Sequence, residues 1–64
     1  MKSLYEVAVS NKLTGEVIHE IKDVEEVEKI ESLATGDIKM RIITADGRAF
    51  KYDNSEYDVY IFKK

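Results

Sequence analysis

Cysteine, proline and tryptophan are absent from this chain of 64 residues, and it contains only three glycines and one histidine. Without cysteine there is no disulfide framework and no thiol nucleophile. The lack of proline and the low glycine content are not typical of a flexible linker. A chain this short buries only about 60% of its unfolded surface. Since no disulfide stabilises it, we expect it to gain further burial by self-association.

The single histidine opens the segment HEIKD, residues 19–23. A zinc protease motif of this type needs a second histidine four positions later, on the same face of a helix. Position 23 is an aspartate instead. No serine lies in a nucleophile elbow, and no glycine-rich loop carries a lysine followed by serine or threonine. The sequence therefore predicts a protein that is not an enzyme and that holds neither a metal nor a cofactor.

The composition is that of a globular protein, with 44% hydrophobic and 36% charged residues. Its length predicts one domain spanning residues 1–64. No apolar run is long enough for a secretory signal or a membrane span. These features predict a soluble, cytoplasmic protein that does not associate with membranes.

Alternating apolar and polar residues predict five β-strands. The dipeptide Asp46-Gly47 is a strong hairpin signal between the third and fourth of them. Gly15 is expected to provide the positive φ of a loop after the first strand. The predicted strands cover residues 4–10, 16–21, 38–44, 49–52 and 57–62.

An acidic helix is predicted between the second and third strands, in the segment KDVEEVEKIESLATGD, residues 22–37. Asp23 is a suitable N-cap with Glu26 as its capping-box partner, and Gly36 is a suitable C-terminal stop. Glu25 and Glu28 then lie on the polar side of the helix. Two interpretations stay open: a solvated helix face, or an acidic surface that binds a basic partner. The apolar side would contain Val24, Val27, Ile30 and Ala34.

The predicted class is therefore α+β, an antiparallel sheet of about five strands with one helix packed on one face, in the order β-β-α-β-β-β. The C-terminal stretch GRAFKYDNSEYDVYIFKK resembles the final hairpin of small immunoglobulin-binding β-grasp domains in the spacing of its aromatic residues around an aspartate-rich turn. The resemblance covers about a quarter of the chain, and the strand at residues 38–44 is additional to that fold. No function is implied by it.

One helix covers only one face of a sheet, and the opposite face of this sheet is not cleanly polar. If the neighbouring residues of each strand form the core, Tyr60, Phe62, Ile43 and Arg41 lie on the uncovered face. An exposed apolar patch of this kind typically marks an interface. Curvature of the sheet is the alternative explanation. We therefore predict a homodimer, or a target protein, bound at Tyr60 and Phe62.

The chain carries a net charge of −3, of which residues 1–32 contribute −4 and residues 33–64 contribute +1. A small acidic protein with an aromatic sheet face is predicted to be a protein-interaction module. Its size and charge are similar to those of inhibitors from phages and mobile elements that bind host proteins. The alternative is a protein that binds single-stranded nucleic acid, in which Tyr60 and Phe62 stack on bases while Lys39, Arg41 and Lys51 contact phosphates.

Overall fold

The computed structural model describes residues 4–64 and shows an all-β protein. Its five strands form one antiparallel sheet in the order β4-β3-β2-β1-β5. This part of the chain contains no helix, so the α+β class and its acidic helix are wrong. It accordingly has no helix that is long and apolar enough to cross a membrane. The strands are β1 (Tyr5–Asn11), β2 (Val17–Glu31), β3 (Ile38–Thr44), β4 (Ala49–Asp53) and β5 (Tyr57–Lys63).

The segment predicted as a helix is the second half of β2, which is 15 residues long. Val24 lies opposite Thr44 of β3, whereas Glu26 lies opposite Ile43, so Glu25 is the extra residue of a β-bulge. Because of this bulge, Val24 and Val27 lie on the same face of the strand although they are three residues apart. Residues three apart also share one face of an α-helix, whose period is about 3.6 residues, which explains the wrong prediction.

The long strand β2 is shared by two halves of the sheet. Its first part pairs with β1, in a register where Val7 lies opposite Ile21. Its second part pairs with β3, where Val27 lies opposite Ile42. Two register shifts with β1 and the bulge at Glu25 allow the strand to bend between the halves.

The bend curls the sheet, so that its two edge strands approach each other. β4 and β5 are joined by the short turn at residues 54–56, yet they do not pair as a hairpin. The rings of Tyr52 on β4 and Tyr57 on β5 are 5.4 Å apart at this turn. The final hairpin implied by the resemblance to β-grasp domains is therefore not present.

The core lies on the concave side of the curled sheet. Val9, Val24 and Ile42 are fully buried, and Val7 and Ile21 are nearly so. Partly buried side chains from β1, β2, β4 and β5 pack around these five residues; they are Tyr5, Val27, Phe50, Tyr52, Tyr57 and Val59. We call the side of the sheet that carries these core residues its inner face and the opposite side its outer face.

The loops at the two ends of β2 have the same geometry. In the first, the N–H of Gly15 donates to the C=O of Asn11 (2.7 Å), and the N–H of Glu16 to Thr14 Oγ1 (3.2 Å). In the second, at residues 32–37, the N–H of Gly36 donates to the C=O of Ser32 (2.7 Å), and the N–H of Asp37 to Thr35 Oγ1 (3.3 Å). Both glycines have a positive φ, near 75°. The recurring sequence Thr-Gly-acid thus sets both turns.

Candidate functional site

Two exposed aromatic side chains lie next to each other on the outer face of β5. Tyr60 is 50% exposed and Phe62 is 56% exposed. Tyr60 lies opposite Ala8 of β1, and Phe62 lies opposite Glu6. Since Val59 packs against the core, the intervening residues Tyr60 and Phe62 point to the other side of the strand. The alternation predicted from the sequence thus places both rings on the side of β5 opposite Val59, but residues 4–64 contain no helix to distinguish a covered face from an uncovered one.

The surface beside these rings is a shallow depression of about 70 Å³. Its floor contains Ala8, a small residue that lies between Tyr60 on one side and Glu20 of β2 on the other. Glu6, Lys22 and Phe62 also line it. We call Tyr60, Phe62, Ala8, Glu6, Glu20 and Lys22 the outer aromatic face. It combines two large apolar groups with charges of both signs.

Strand β5 is also an edge of the sheet. The N–H of Lys64 donates to the C=O of Leu4, and the C=O of Glu56 accepts from the N–H of Lys12. Even-numbered residues of β5 therefore direct their backbone groups toward β1. Successive residues of a strand direct these groups to opposite sides. The backbone groups of Val59, Ile61 and Lys63 thus face the open side, where no strand from residues 4–64 pairs with them.

Ile43, Arg41 and Glu28 lie on the outer face of the other half of the sheet. Arg41 lies opposite Glu28 of β2, and Arg41 Nη1 is 3.9 Å from Glu28 Oε2. β3 and β5 are separated by β2 and β1, which corresponds to about 14 Å across the sheet. The structure therefore separates these three residues from Tyr60 and Phe62, and the sequence prediction of one joint patch is wrong in this respect.

Glu25, the remaining predicted site residue, lies at the bulge of β2. It lines an open groove of about 500 Å³ together with Glu26, Leu4, Tyr5, Val27 and Ile61. A hydrogen bond with Glu28, and repulsion from it and from Glu25, raise the pKa of Glu26 above its ordinary value of 4.5. The acidic residues thus crowd along one strand and do not form the surface of a helix.

A cluster of aromatic rings on the inner face was not predicted from the sequence. His19 Nδ1 lies 2.6 Å from Tyr52 Oη, and the His19 and Phe50 ring centroids are 5.0 Å apart with their planes nearly perpendicular. Arg48 lies 5.7 Å from the centre of the Phe50 ring. Burial and the neighbouring Tyr57 raise the pKa of Tyr52 above 10.0. The alternation of residues 50, 52 and 57 with polar neighbours is the only signal for this cluster.

These surfaces present exposed aromatic side chains and charges of both signs. Among residues 4–64, no group of three or more histidine, aspartate or glutamate side chains is placed to hold a metal ion. Asp53 accepts hydrogen bonds from Ser55, which lower the pKa of its carboxyl group. This arrangement belongs to the turn between β4 and β5. Comparison with known proteins gave no match to a family model, to a curated protein or to a solved structure.

Proposed function

We propose that this protein is a non-enzymatic protein-interaction module and that the outer aromatic face binds its partner. The observation that carries the proposal is the exposure of Tyr60 and Phe62 side by side on β5. Aromatic residues contribute a large share of binding free energy in protein interfaces, especially where neighbouring contacts exclude water from them. Phe62 lines a depression that also contains the small residue Ala8, and Tyr60 lies opposite Ala8.

The remaining outer face supports a protein partner of mixed character. Glu6, Glu20 and Lys22 line the depression and bring charges of both signs to it. Polar rims of this kind set the orientation of a partner, whereas the apolar centre supplies most of the affinity. A partner that inserts an apolar side chain over Ala8 and pairs with these charges fits the surface. An inhibitor acting on a host protein is one form of such a module.

The alternative, a protein for single-stranded nucleic acid, has weaker support from the geometry. Lys39, Arg41 and Lys51 lie on β3 and β4, in the half of the sheet that does not contain Tyr60 and Phe62. Arg41 also lies between Lys51 and Glu28, so its charge is partly offset. Base stacking and phosphate contacts act best side by side along one strand of nucleic acid.

Affinity capture from an extract of the native host tests the proposal. Wild-type protein, Phe62→Asp and Leu33→Asp are immobilised and compared. Leu33 is 94% exposed in a loop remote from β5, so its change is a matched control for placing a charge on the surface. We expect Phe62→Asp to weaken capture of a partner by at least about tenfold, and Leu33→Asp to leave it unchanged.

Equal effects of the two substitutions would contradict the proposal. Circular dichroism of all three proteins checks that the sheet persists. A gel shift with short single strands of DNA and RNA at two salt concentrations tests the alternative, because phosphate contacts weaken steeply with salt.

A further inference from the structure

We propose that β5 pairs with β5 of a second copy of the chain, antiparallel and with Ile61 opposite Ile61. This inference goes beyond the proposed function, since it concerns the open backbone edge of the strand and stands whether or not the outer aromatic face binds another protein.

The open edge of β5 is able to form such a ladder. The N–H and C=O groups of Val59, Ile61 and Lys63 face away from β1, as the bonds at Lys64 and Glu56 require. An unpaired edge of this length is a template for pairing with another strand. In antiparallel pairing about a two-fold axis, the residue numbers of each opposed pair have a constant sum. Outer faces meet outer faces only when that sum is even.

The side chains select one register among the even sums. With Ile61 opposite Ile61, Tyr60 lies opposite Phe62 of the second copy, and Asp58 lies opposite Lys64 of the second copy. These four residues share the outer face, because each is two positions from the next. The sequence Asp-x-Tyr-x-Phe-x-Lys is thus complementary to itself when it is reversed. Two aromatic pairs are flanked by two pairs of opposite charge.

Neighbouring registers lack this complementarity. If the second copy is shifted by two residues so that Tyr60 lies opposite Tyr60, that is the only aromatic pair. Asp58 then lies opposite Phe62. A shift further in that direction places Asp58 opposite Tyr60 and leaves no aromatic pair. Opposed aromatic residues and opposite charges stabilise a strand pair, whereas a carboxylate against an aromatic ring does neither.

Asp58 also has a contact within its own chain. Its Oδ1 is 3.6 Å from Lys12 Nζ, and both side chains are more than 40% exposed. The carboxylate therefore stays accessible to a second cation. The two-fold ladder would join two five-stranded sheets into one sheet of ten strands and place the two outer aromatic faces side by side.

Sedimentation velocity over a range of concentrations tests the pairing with three variants. Asp58→Lys and Lys64→Asp each oppose like charges at both ends of the paired strands, so each is expected to weaken the dimer by at least about tenfold. The combined variant Asp58→Lys/Lys64→Asp exchanges the two charges and is expected to restore the dimer. A monomeric wild type at high concentration, or a combined variant weaker than both single variants, would overturn the inference.

Hydrogen exchange at the backbone provides a second readout that does not depend on substitution. The amides of Val59, Ile61 and Lys63 are expected to become protected as concentration rises, because only the second copy accepts from them. The amides of Tyr60 and Phe62 are protected at every concentration by β1 and serve as internal controls. A dimer in which the three amides stay unprotected would show that a different surface pairs. A variant that stays dimeric but no longer captures a partner would contradict the proposed function and leave the β5 pairing intact. The two proposals can therefore fail independently.

Discussion

His19 Nδ1 and Tyr52 Oη lie 2.6 Å apart and join β2 to β4, two strands that are not neighbours in the sheet. The contact crosses the concave side of the curled sheet, next to the rings of Phe50 and Tyr57. It therefore holds together two parts of the sheet that no backbone ladder connects.

Tyr52→Phe removes the hydroxyl group of this contact and keeps the ring. We expect the free energy of unfolding to fall by about 0.5–1.5 kcal/mol, the usual net value of a hydrogen bond. Urea denaturation at neutral pH measures it. Tyr60→Phe is the matched control, since the Tyr60 ring lies on the outer face. Equal losses in the two variants would show that the contact with His19 does not stabilise the fold.

Alkaline pH provides an independent test of Tyr52. Burial raises the pKa of its hydroxyl group in the folded protein above the ordinary value of 10.0. Because this pKa is raised, the contribution of Tyr52 to stability is fully present below pH 10. It is lost as the pH rises through the pKa of Tyr52 in the folded protein. Thermal melts across this range are expected to show a smaller loss in Tyr52→Phe than in the wild type. An identical loss of Tm in the two proteins would show that ionisation of Tyr52 does not cause it.

Asp46 is expected to stabilise the β3–β4 turn only in its charged form. The Thr44 hydroxyl donates to its carboxylate, and Arg48 Nε lies 3.0 Å from Oδ2; both contacts lower the pKa of Asp46 below 3.8. A lowered pKa means that the stability is present above pH 3.8 and is lost as the pH falls through the folded value. Asp46→Asn should lower Tm at neutral pH, and the difference from the wild type should shrink in acid. A difference that stays constant with pH would contradict this prediction.

Glu26 is expected to have the opposite effect. Its pKa is raised by Glu28 and Glu25, so its negative charge opposes folding at neutral pH and ceases to do so when it is protonated. Glu26→Gln should therefore raise Tm at neutral pH, and less so at high salt, because salt screens repulsion between exposed charges. Glu56→Gln, in the β4–β5 turn, is the control. A lower Tm for Glu26→Gln would show that the repulsion is not the dominant effect.

Gly15 and Gly36 are expected to contribute equally to stability. Each has a positive φ, and a Cβ at either position would meet no atom within 4 Å, so the cost of alanine is one of backbone conformation alone. Gly15→Ala and Gly36→Ala should each lower the free energy of unfolding by about 1–2 kcal/mol. Asparagine at either position should cost less, because it adopts this conformation more readily. Clearly different costs for the two alanine variants would contradict the equivalence of the loops.

The short strands were predictable because each alternates around well-defined turns. The structure confirms the bounds of β3 and the hairpin at Asp46-Gly47, where the N–H of Gly47 donates to Thr44. The acidic segment was not predictable in the same way. Asp23, Glu26 and Gly36 match the capping pattern of a helix, yet a β-bulge reproduces the helical spacing of the valines. Pairing with β3 along the second half of β2 decides between these structures.

The candidate site was predictable within one strand but not between strands. Alternation alone places Tyr60 and Phe62 on the face opposite Val59. Ile43 is also on the outer face, but the strand order and the bend of β2 determine which outer residues are neighbours. Neither is encoded in the local pattern of any one segment. The same bend separates the basic residues from the aromatic ones.

The pairing of β5 with β1 has a consequence for the order of folding. Strands β1 to β4 are joined through short loops, and each pairs with its neighbour in the sequence. Only β5 pairs with a distant segment, since Ile61 lies opposite Val7. Such contacts form late, because the chain entropy of closing a long loop must be offset first. Substitutions in β5 are therefore expected to accelerate unfolding and leave the folding rate nearly unchanged, so that the protein opens and closes at its C-terminal strand.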